Sequence, residues 1–384
     1  INTTAVGAGL VDFNPGSPKQ LSDLLYGRLG LSPTKLTPTG SPSTDKESLL
    51  ELERQHPVVG DVLKWRAMSK LHSTYAQPLP GFVRSDGRIH PSVRIDGARS
   101  GRPSCSEPNL YNVPRATDDL SRFARDCFVA PPGSVLVSFD YKQLELYVAA
   151  IESGDEVMIE MLRSGEDFHL STARLISRQL WGIAPEDVPE KGAERSAAKA
   201  VNFGLLYGMG TGTLAHRLGV SYQRAEETVR AIMGQFKQLD RYRRELIVRA
   251  RRTGEAWTRW NGEPFRCRPL WRIADVDSEV RSRAENASLN TPIQAFASDF
   301  CEFSIVEVVR WLLRTGFPAK LVLSVYDSIM LEVGEARAAE LVDEVGEIMT
   351  SWPTGYDGFR LRVDVEVGES WGSLEPWEKT LAGA

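Results

Sequence analysis

Two aspartates, Asp140 and Asp327, each follow a short apolar segment that is typical of a β-strand. The first comes after VLVSF at 135–139, where β-branched and aromatic residues predict a strand, and helical periodicity begins soon after it. The second interrupts LVLSVYDSIMLEV at 321–333, which predicts two strands folded about Tyr326 and Asp327. Each carboxylate is therefore expected at the rim of a sheet.

Two such rims lying side by side would bring two carboxylates close together. Like charges at short range repel unless cations lie between them. Carboxylate oxygens are ligands that Mg²⁺ prefers, and a pair of them suits a site for two metal ions. Taken singly, each aspartate is also compatible with a turn or a helix cap.

The chain between these aspartates contains a predicted helix, at 194–209, with one distinctive face. Arg195, Lys199, Phe203 and Tyr207 recur at every fourth position. Each step of four drifts by only about 40°, so the four side chains form one ridge roughly 18 Å long. Cations near a helix N-terminus oppose the helix dipole but suit the binding of a polyphosphate. The alternative is a solvated basic face that runs into core aromatics.

These segments resemble the motifs of family A DNA polymerases, the bacterial and phage DNA polymerase I-like enzymes. Residues 140–146, DYKQLEL, resemble motif A, and residues 195–208, RSAAKAVNFGLLYG, fill every characteristic position of motif B. Residues 325–328, VYDS, resemble motif C imperfectly. Two further blocks, at 100–114 and 289–294, are also similar to the family's. Five blocks in the family's order over nearly the whole chain are far more specific than a single motif.

The resemblance has four departures. The family usually has Arg where Tyr147 stands, Gln where Tyr111 stands, and His and Glu where Tyr326 and Ser328 stand. None of the four replaces an aspartate expected to bind metal. The loss of the Glu predicts an active enzyme with a raised Mg²⁺ requirement.

The resemblance implies an α+β fold of the right-hand polymerase type, with an antiparallel-sheet palm, helical fingers and a partial thumb. The expected divisions are 1–80 for the partial thumb, 81–155 for the first part of the palm, 156–284 for the fingers and 285–384 for the second part of the palm. A longer helix is expected at about 58–75 within the thumb. In the family the other arm of the thumb lies upstream, so an upstream segment or a partner is expected to complete it. A first residue other than Met favours a processed product or a fragment.

The resemblance also implies roles for individual residues. Asp140 and Asp327, with Tyr141, would hold two Mg²⁺ ions, for which Mn²⁺ can substitute, and Lys199 is a candidate proton donor to pyrophosphate. The residues expected to contact the deoxynucleoside triphosphate are Gln143, Glu145, His169, Arg195, Lys199, Phe203 and Tyr207. The residues expected to contact primer–template DNA are Arg102, Asn109, Gly208, Asn290, Gln294 and Tyr326.

The predicted function is template-directed DNA synthesis at a primer 3′ end. Two alternatives stay open. A single-subunit RNA polymerase-like enzyme shares the fold class, and the pair Asp327-Ser328 is similar to that relative, whereas Glu145, which would exclude a 2′ hydroxyl, favours DNA synthesis. A non-catalytic DNA-binding module on a polymerase fold is disfavoured because both aspartates, Arg195 and Lys199 are all present.

The net charge of −5 argues weakly against binding to nucleic acid. The charge is unevenly placed, however, since ten arginines stand against three glutamates between Arg241 and Arg272, with tryptophans interleaved. Such a patch can supply phosphate contacts on an acidic protein. A solvated helix face is the alternative for its first half.

The four cysteines lack CxxC spacing, which fits a reducing cytoplasm, and the histidines form no zinc-like cluster. The family resemblance implies the cytoplasm of a bacterial or phage-infected cell, with an organelle as the alternative. No apolar run is long enough for a membrane span, and no signal-peptide pattern is present, so neither a membrane partner nor secretion is expected.

Overall fold

The computed structural model describes residues 1–115, 119–260, 262–351 and 360–377. The chain divides into two compact units. The first comprises Ile1–Ser92 and Glu107–Cys127, and the second comprises Val93–Ser106 and Phe128–Ala384. Helices and antiparallel sheets both occur, so the predicted α+β class is confirmed.

The first unit is helical. Its α-helices are α1 (Asn2–Gly7), α2 (Pro18–Ser22), α3 (Lys46–Leu52), α4 (Pro57–Leu71) and α5 (Asp119–Asp126). Single turns of π-helix cover Asp23–Arg28 and His72–Ala76, and single 3₁₀ turns cover Leu79–Phe82 and Leu110–Asn112. Aliphatic side chains from α2, α3, α4 and the first π turn form its core.

The predicted helix at 58–75 is present as α4 and the π turn that continues it. Pro57 occupies the first turn, where its missing N–H costs nothing. The ring nitrogen Nδ1 of His56 accepts a hydrogen bond from the backbone N–H of Val58 at 3.1 Å, which caps the helix.

The second unit is built around a five-stranded antiparallel sheet in the order β6-β7-β3-β8-β9. All strands of the described residues are β1 (Ser92–Arg94), β2 (Ser104–Ser106), β3 (Ser134–Tyr141), β4 (Glu255–Trp260), β5 (Glu263–Pro269), β6 (Ala319–Val325), β7 (Ser328–Gly334), β8 (Val363–Gly368) and β9 (Glu375–Pro376). The pairs β1-β2 and β4-β5 form separate two-stranded sheets. Both predicted strands at 321–333 are therefore confirmed as β6 and β7.

The helices of the second unit are α6 (Leu144–Ser153), α7 (Glu156–Ser164), α8 (Phe168–Leu180), α9 (Ala193–Leu206), α10 (Thr211–Leu218), α11 (Tyr222–Gln235), α12 (Lys237–Thr253), α13 (Ser278–Asn290), α14 (Phe296–Thr315) and α15 (Ala338–Ser351). A π turn at Thr291–Ala295 joins α13 to α14, and 3₁₀ turns cover Pro185–Asp187 and Glu335–Arg337. The predicted helix at 194–209 is present as α9, although it ends at Leu206.

The two faces of the central sheet differ. Val137, Phe139 and Tyr141 of β3 point to the apolar face, which packs on α14 and α15. The Tyr141 hydroxyl joins these two helices, since it lies 2.7 Å from Ser304 Oγ and donates to the Met349 carbonyl at 3.0 Å. Because side chains alternate along a strand, Asp140 points to the opposite face.

Candidate nucleotidyl-transfer site

The sheet brings Asp140 and Asp327 to the same end of its strands. Asp140 at the end of β3 is the direct cross-strand partner of Ser328, the residue after Asp327. The backbone N–H of Tyr141 donates to the Asp327 carbonyl at 3.1 Å. Both aspartates lie near the thiol of Cys301, whose pKa is raised by burial and further by Asp327, Glu302 and Asp140. The two aspartates therefore lie at the ends of neighbouring strands and near the same buried thiol.

Asp327 stands in a two-residue hairpin turn. Val325 pairs with Ser328, so Tyr326 and Asp327 are the turn residues, and Tyr326 has a φ of 57°. Positive φ is what tight β-hairpin turns require, but it is strained in a bulky residue, at a cost of roughly 1–3 kcal/mol. The strained conformation of Tyr326 forms the turn that positions Asp327.

A further carboxylate lies beside Asp140, and both side chains are exposed. Asp364 of β8 is the direct cross-strand partner of Asp140, and directly opposed residues point to the same face. The Lys142 ammonium lies 2.5 Å from Asp364 Oδ1. Sequence reasoning missed this pair, although the alternation VDVEV at 363–367 does mark Asp364 as outward-facing.

Arg195 is held by an ion pair at the start of the basic and aromatic ridge. Its Nη2 lies 2.6 Å from Asp167 Oδ2, and its Nε donates to the same oxygen at 2.8 Å. Asp167 also caps α8, where its Oδ1 accepts from the backbone N–H groups of His169 and Leu170. Burial opposes ionisation of Asp167, but these bonds and the Arg195 charge lower its pKa overall. Asp167 therefore fixes both the guanidinium and the helix that carries His169.

His169 is buried and neutral. Burial, followed by the charges of Lys199 and Arg195, lowers the pKa of its imidazole to about 4, although Asp167 acts in the opposite direction. Asn202 Nδ2 donates to His169 Nδ1 at 3.1 Å, so the ring proton resides on Nε2. Asn202 also donates to Thr172 Oγ1 at 3.0 Å. Asn202, to which sequence reasoning gave no role, therefore sets the tautomer of His169.

The aromatic end of the ridge, Phe203 and Tyr207, lies beside Glu145 of α6. The rings of Phe203 and Tyr207 are stacked, with centroids 6.2 Å apart. Burial and the adjacent Glu145 carboxylate raise the pKa of Tyr207, whose hydroxyl makes no hydrogen bond of ordinary geometry with the described part of the chain. Arg102 Nη2 lies 2.7 Å from Glu145 Oε1, and its guanidinium carbon lies 4.9 Å from the centre of the Tyr326 ring.

The other expected nucleotide contact, Gln143, has a φ of 55° and lies between β3 and α6, where it begins the helix. Lys199 lies one turn after Arg195 on α9. The structure thus gathers Asp140, Asp327 and the α6 and α9 residues in one unit, while their roles stay predictions.

Besides Arg102 and Tyr326, four expected DNA contacts lie after α9, at the end of α13 and in the π turn that follows it, and in the first unit. Gly208 packs so closely on α13 that a Cβ there would lie 2.3 Å from Asn286 Oδ1. Asn290 ends α13, and its Oδ1 is buried without a hydrogen-bond partner among the described residues. Gln294 is the half-exposed residue of the otherwise buried π turn, and π turns often occur at functional sites. Asn109 belongs to the first unit, where its Oδ1 accepts from the Tyr111 N–H at 3.1 Å.

Much of the arginine-rich stretch is paired. On α12, Arg241 binds Glu245 at 2.8 Å, Arg244 binds Asp240, and Arg251 binds Glu285 at 2.6 Å. The alternative of a solvated, ion-paired helix face therefore fits the first half of that stretch.

No group of three or more His, Cys, Asp or Glu residues that could enclose a metal occurs within the four described ranges. This agrees with the chemistry of Mg²⁺, which usually binds through one or two carboxylates and completes its shell with water and substrate phosphates. Two aspartates at the solvent-accessible end of neighbouring strands fit such an ion. The Tyr141 side chain is occupied in the core, so only its backbone carbonyl could serve as a ligand.

The description "DNA polymerase family A" belongs to a family model that matches residues 2–373. The chain belongs to DNA polymerase family A. DNA polymerase I of Pseudomonas aeruginosa is 34% identical over 362 residues, which cover 94% of this chain and 38% of that protein. The thermostable DNA polymerase I of Thermus filiformis is 36% identical over 365 residues, covering 94% of this chain and 42% of that protein.

A solved family A structure has a similar fold. The POL domain of Pol1 from M. smegmatis, in complex with DNA primer-template and dNTP, matches with a TM-score of 0.84 and 32% identity. The match covers 97% of this chain and 63% of that chain. The right-hand polymerase fold is thereby confirmed. The chain spans about two fifths of the length of the curated relatives named above.

Within the described ranges, no helix combines the length and the apolar character needed to cross a bilayer.

Proposed function

We propose that the chain catalyses template-directed addition of deoxynucleotides to a primer 3′ end, with Asp140 and Asp327 holding two Mg²⁺ ions. The observation that carries this proposal is the placement of both carboxylates at the same end of neighbouring strands in a member of family A. The ligands named for the M. smegmatis relative, primer-template DNA and dNTP, support the same substrate classes here.

The metal ions, when bound, would stabilise the charge that develops on the attacking and leaving oxygens. Everything else falls to the chain's own groups. Asp140 and Asp327 supply the two charges, and the Tyr141 carbonyl is placed to contribute a neutral oxygen. Mn²⁺ would be accepted at the same ligands.

The basic end of the ridge would bind the triphosphate. Arg195, held by Asp167, and Lys199, one turn later, supply two cations for phosphate oxygens. Lys199 would also donate a proton to the departing pyrophosphate. His169 would donate a hydrogen bond from Nε2, and Gln143 would make a further polar contact with the nucleotide.

The aromatic end would hold the sugar and test the base pair. Phe203 would pack on the incoming sugar, while Tyr207 would stack near the template base, which tolerates every base because all have a π face. Glu145, fixed by Arg102, would occupy the space of a ribose 2′ hydroxyl. The fixed position of Glu145 favours DNA synthesis over the RNA polymerase-like alternative.

Primer–template contacts would come from Arg102, Asn109, Gly208, Asn290, Gln294 and Tyr326. The buried Oδ1 of Asn290, which has no hydrogen-bond partner among the described residues, supports its place in this set. The four-part division into partial thumb, palm, fingers and palm belongs to the same proposal. The separate helical core of the first unit supports a thumb-like role for residues 1–80.

A primer-extension assay tests the function. The wild-type chain should extend a primer with Mg²⁺ and deoxynucleotides, whereas Asp140→Asn and Asp327→Asn should abolish extension and leave primer–template affinity nearly unchanged. Asp187→Asn, which removes an exposed carboxylate from a 3₁₀ turn, is the matched control and should stay active. Near-normal extension by either active-site variant would reject the metal assignment. Preferential use of ribonucleotides would instead support an RNA polymerase-like enzyme, and binding without any extension a non-catalytic module.

A further inference from the structure

Arg362 contacts two segments of the second unit that carry site residues. Its backbone carbonyl accepts a hydrogen bond from the Lys142 N–H at 2.8 Å, immediately beyond the end of β3. Its guanidinium Nη1 donates to the Gly165 carbonyl at 3.0 Å. Lys142 stands two residues after Asp140, whereas Gly165 stands two residues before Asp167. One residue therefore joins the strand that carries a proposed metal ligand to the start of α8.

The turn between α7 and α8 is shaped to receive the Arg362 guanidinium. Gly165 follows α7 with a φ of 78°, in the left-handed region where glycine is favoured at a helix end. A Cβ at this position would overlap Nη2 of Arg362, so the absence of a side chain makes room for the guanidinium. The helix dipole also favours a cation that binds a carbonyl at the end of a helix. The conformation of this turn therefore supplies both the acceptor and the space for Arg362.

The Arg362 charge also acts on α6. Burial raises the pKa of Tyr147 in that helix, and the positive charge of Arg362 acts in the opposite direction. Tyr147 is one of the four departures from the family pattern, and it stands where the family usually has Arg. Arg362 therefore brings a guanidinium, from the segment before β8, close to an α6 position at which this chain lacks the family's arginine.

The contact at Gly165 leads to the basic end of the ridge. Asp167 caps α8 and holds the Arg195 guanidinium through two bonds to one carboxylate oxygen. Only Glu166 separates Gly165 from Asp167, and Glu166 is itself restrained, because Ser171 Oγ donates to its Oε2 at 3.0 Å. A shift of the turn between α7 and α8 would therefore move Asp167, and Arg195 with it.

We propose that Arg362 is a positioning residue for the incoming nucleotide. It holds the turn at Gly165 in place relative to β3, and Asp167 transmits that position to Arg195. This role rests on the proposed polymerase function, in which Arg195 binds the triphosphate. Arg362 acts through Asp167 and does not itself touch the nucleotide. Loss of its contact should weaken the ground state and the transition state alike, which raises KM and leaves kcat nearly unchanged.

The experiment measures KM and kcat for dATP in primer extension, and the Kd of dATP for the chain with Mg²⁺ but without primer, by calorimetry. Arg362→Met removes the donor and keeps the aliphatic stem, so KM and Kd should each rise about threefold while kcat changes by less than about twofold. Arg362→Lys keeps a charged donor and should recover most of the loss. Arg360→Met is the matched control, since it removes a neighbouring exposed arginine that pairs with Glu347 at 2.7 Å, and it should change neither constant.

A double variant tests the route through Asp167. Asp167→Asn keeps a side chain that can cap α8 but loses the ion pair with Arg195, so Arg362→Met should raise its KM by less than about 1.5-fold further. The proposal is overturned if Arg362→Met leaves KM and Kd unchanged, if it lowers kcat alone, as a loss of folded enzyme would, or if the two substitutions have fully additive effects. A chain that shows these shifts in the Kd of dATP but extends no primer would reject the polymerase function and leave the positioning role of Arg362 in place.

Discussion

Asp364→Asn should raise the Mg²⁺ concentration needed for half-maximal extension about fivefold. Asp364 is the direct cross-strand partner of Asp140, and it holds the Lys142 ammonium at 2.5 Å. Removing its charge leaves the Lys142 ammonium without this counter-charge beside Asp140, the residue proposed to bind a divalent cation.

The magnitude follows from the geometry of the sheet. Opposed Cβ atoms lie about 5 Å apart, which places the altered charge roughly 8 Å from the metal position. Loss of one unit charge at that distance from a divalent ion costs about 1 kcal/mol at the dielectric constant of water. Water is the appropriate medium because both side chains are about half exposed, at 51% and 52%. About 1 kcal/mol corresponds to roughly a fivefold change in affinity.

The assay is a Mg²⁺ titration of primer extension, repeated as Mn²⁺ binding by electron paramagnetic resonance without substrate. Lys142→Met should shift both midpoints in the opposite direction, and the double variant should return near the wild type. Glu226→Gln, which breaks an exposed ion pair on α11, should shift neither. High salt should weaken every shift through screening. Unchanged midpoints in both single variants, or shifts of the same sign, would refute the electrostatic argument.

Three further predictions follow from the site. Ser328→Glu would place a carboxylate opposite Asp140, so it should lower the Mg²⁺ midpoint of extension; an unchanged midpoint would show that the site has no use for a third acid. Gly208→Ala should lower the melting temperature, because φ is +82° and the new Cβ would meet Asn286, at a cost of about 1–3 kcal/mol; Gly212→Ala, in open helix, should not lower it. His169 has a pKa of about 4, and an unfolded histidine binds its proton near pH 6.5, so the unfolded state holds more protons between these values. The free energy of unfolding should therefore fall as pH decreases from about 6.5 towards 4, by up to about 3 kcal/mol, and denaturant melts of His169→Gln should show a smaller loss.

The local elements of the site could be predicted from sequence because their signals are local. Short apolar runs rich in β-branched and aromatic residues before Asp140 and around Tyr326 predict strands, and these are β3, β6 and β7. The hairpin of β4 and β5 could also be predicted from sequence, because the dipeptide Asn261-Gly262 between two strand-like segments is a strong turn signal.

The partners of the site residues could not be predicted in the same way. Lys142 meets Asp364 only because β8, more than two hundred residues later, pairs with β3 in one particular register. Asp167 meets Arg195 because α8 packs on α9. A sequence pattern identifies which residues face outwards, but the ion pair that results depends on strand pairing and helix packing between distant segments.

Arg102 shows how a departure from the family pattern can be accommodated. It binds Glu145 of the motif A segment and lies over the ring of Tyr326 in the motif C hairpin. An aromatic ring attracts a cation by roughly 0.5–1 kcal/mol at an exposed site, which a neutral imidazole would not supply in the same way. Tyr326 in place of the family's His therefore adds a contact that holds Arg102 between the two segments. Because Arg102 also fixes Glu145, the identity of the residue in the hairpin affects the side chain proposed to select deoxyribose. The proposed selection of deoxyribose by Glu145 and the position of Asp327 would in this way be coupled through the Arg102 guanidinium group.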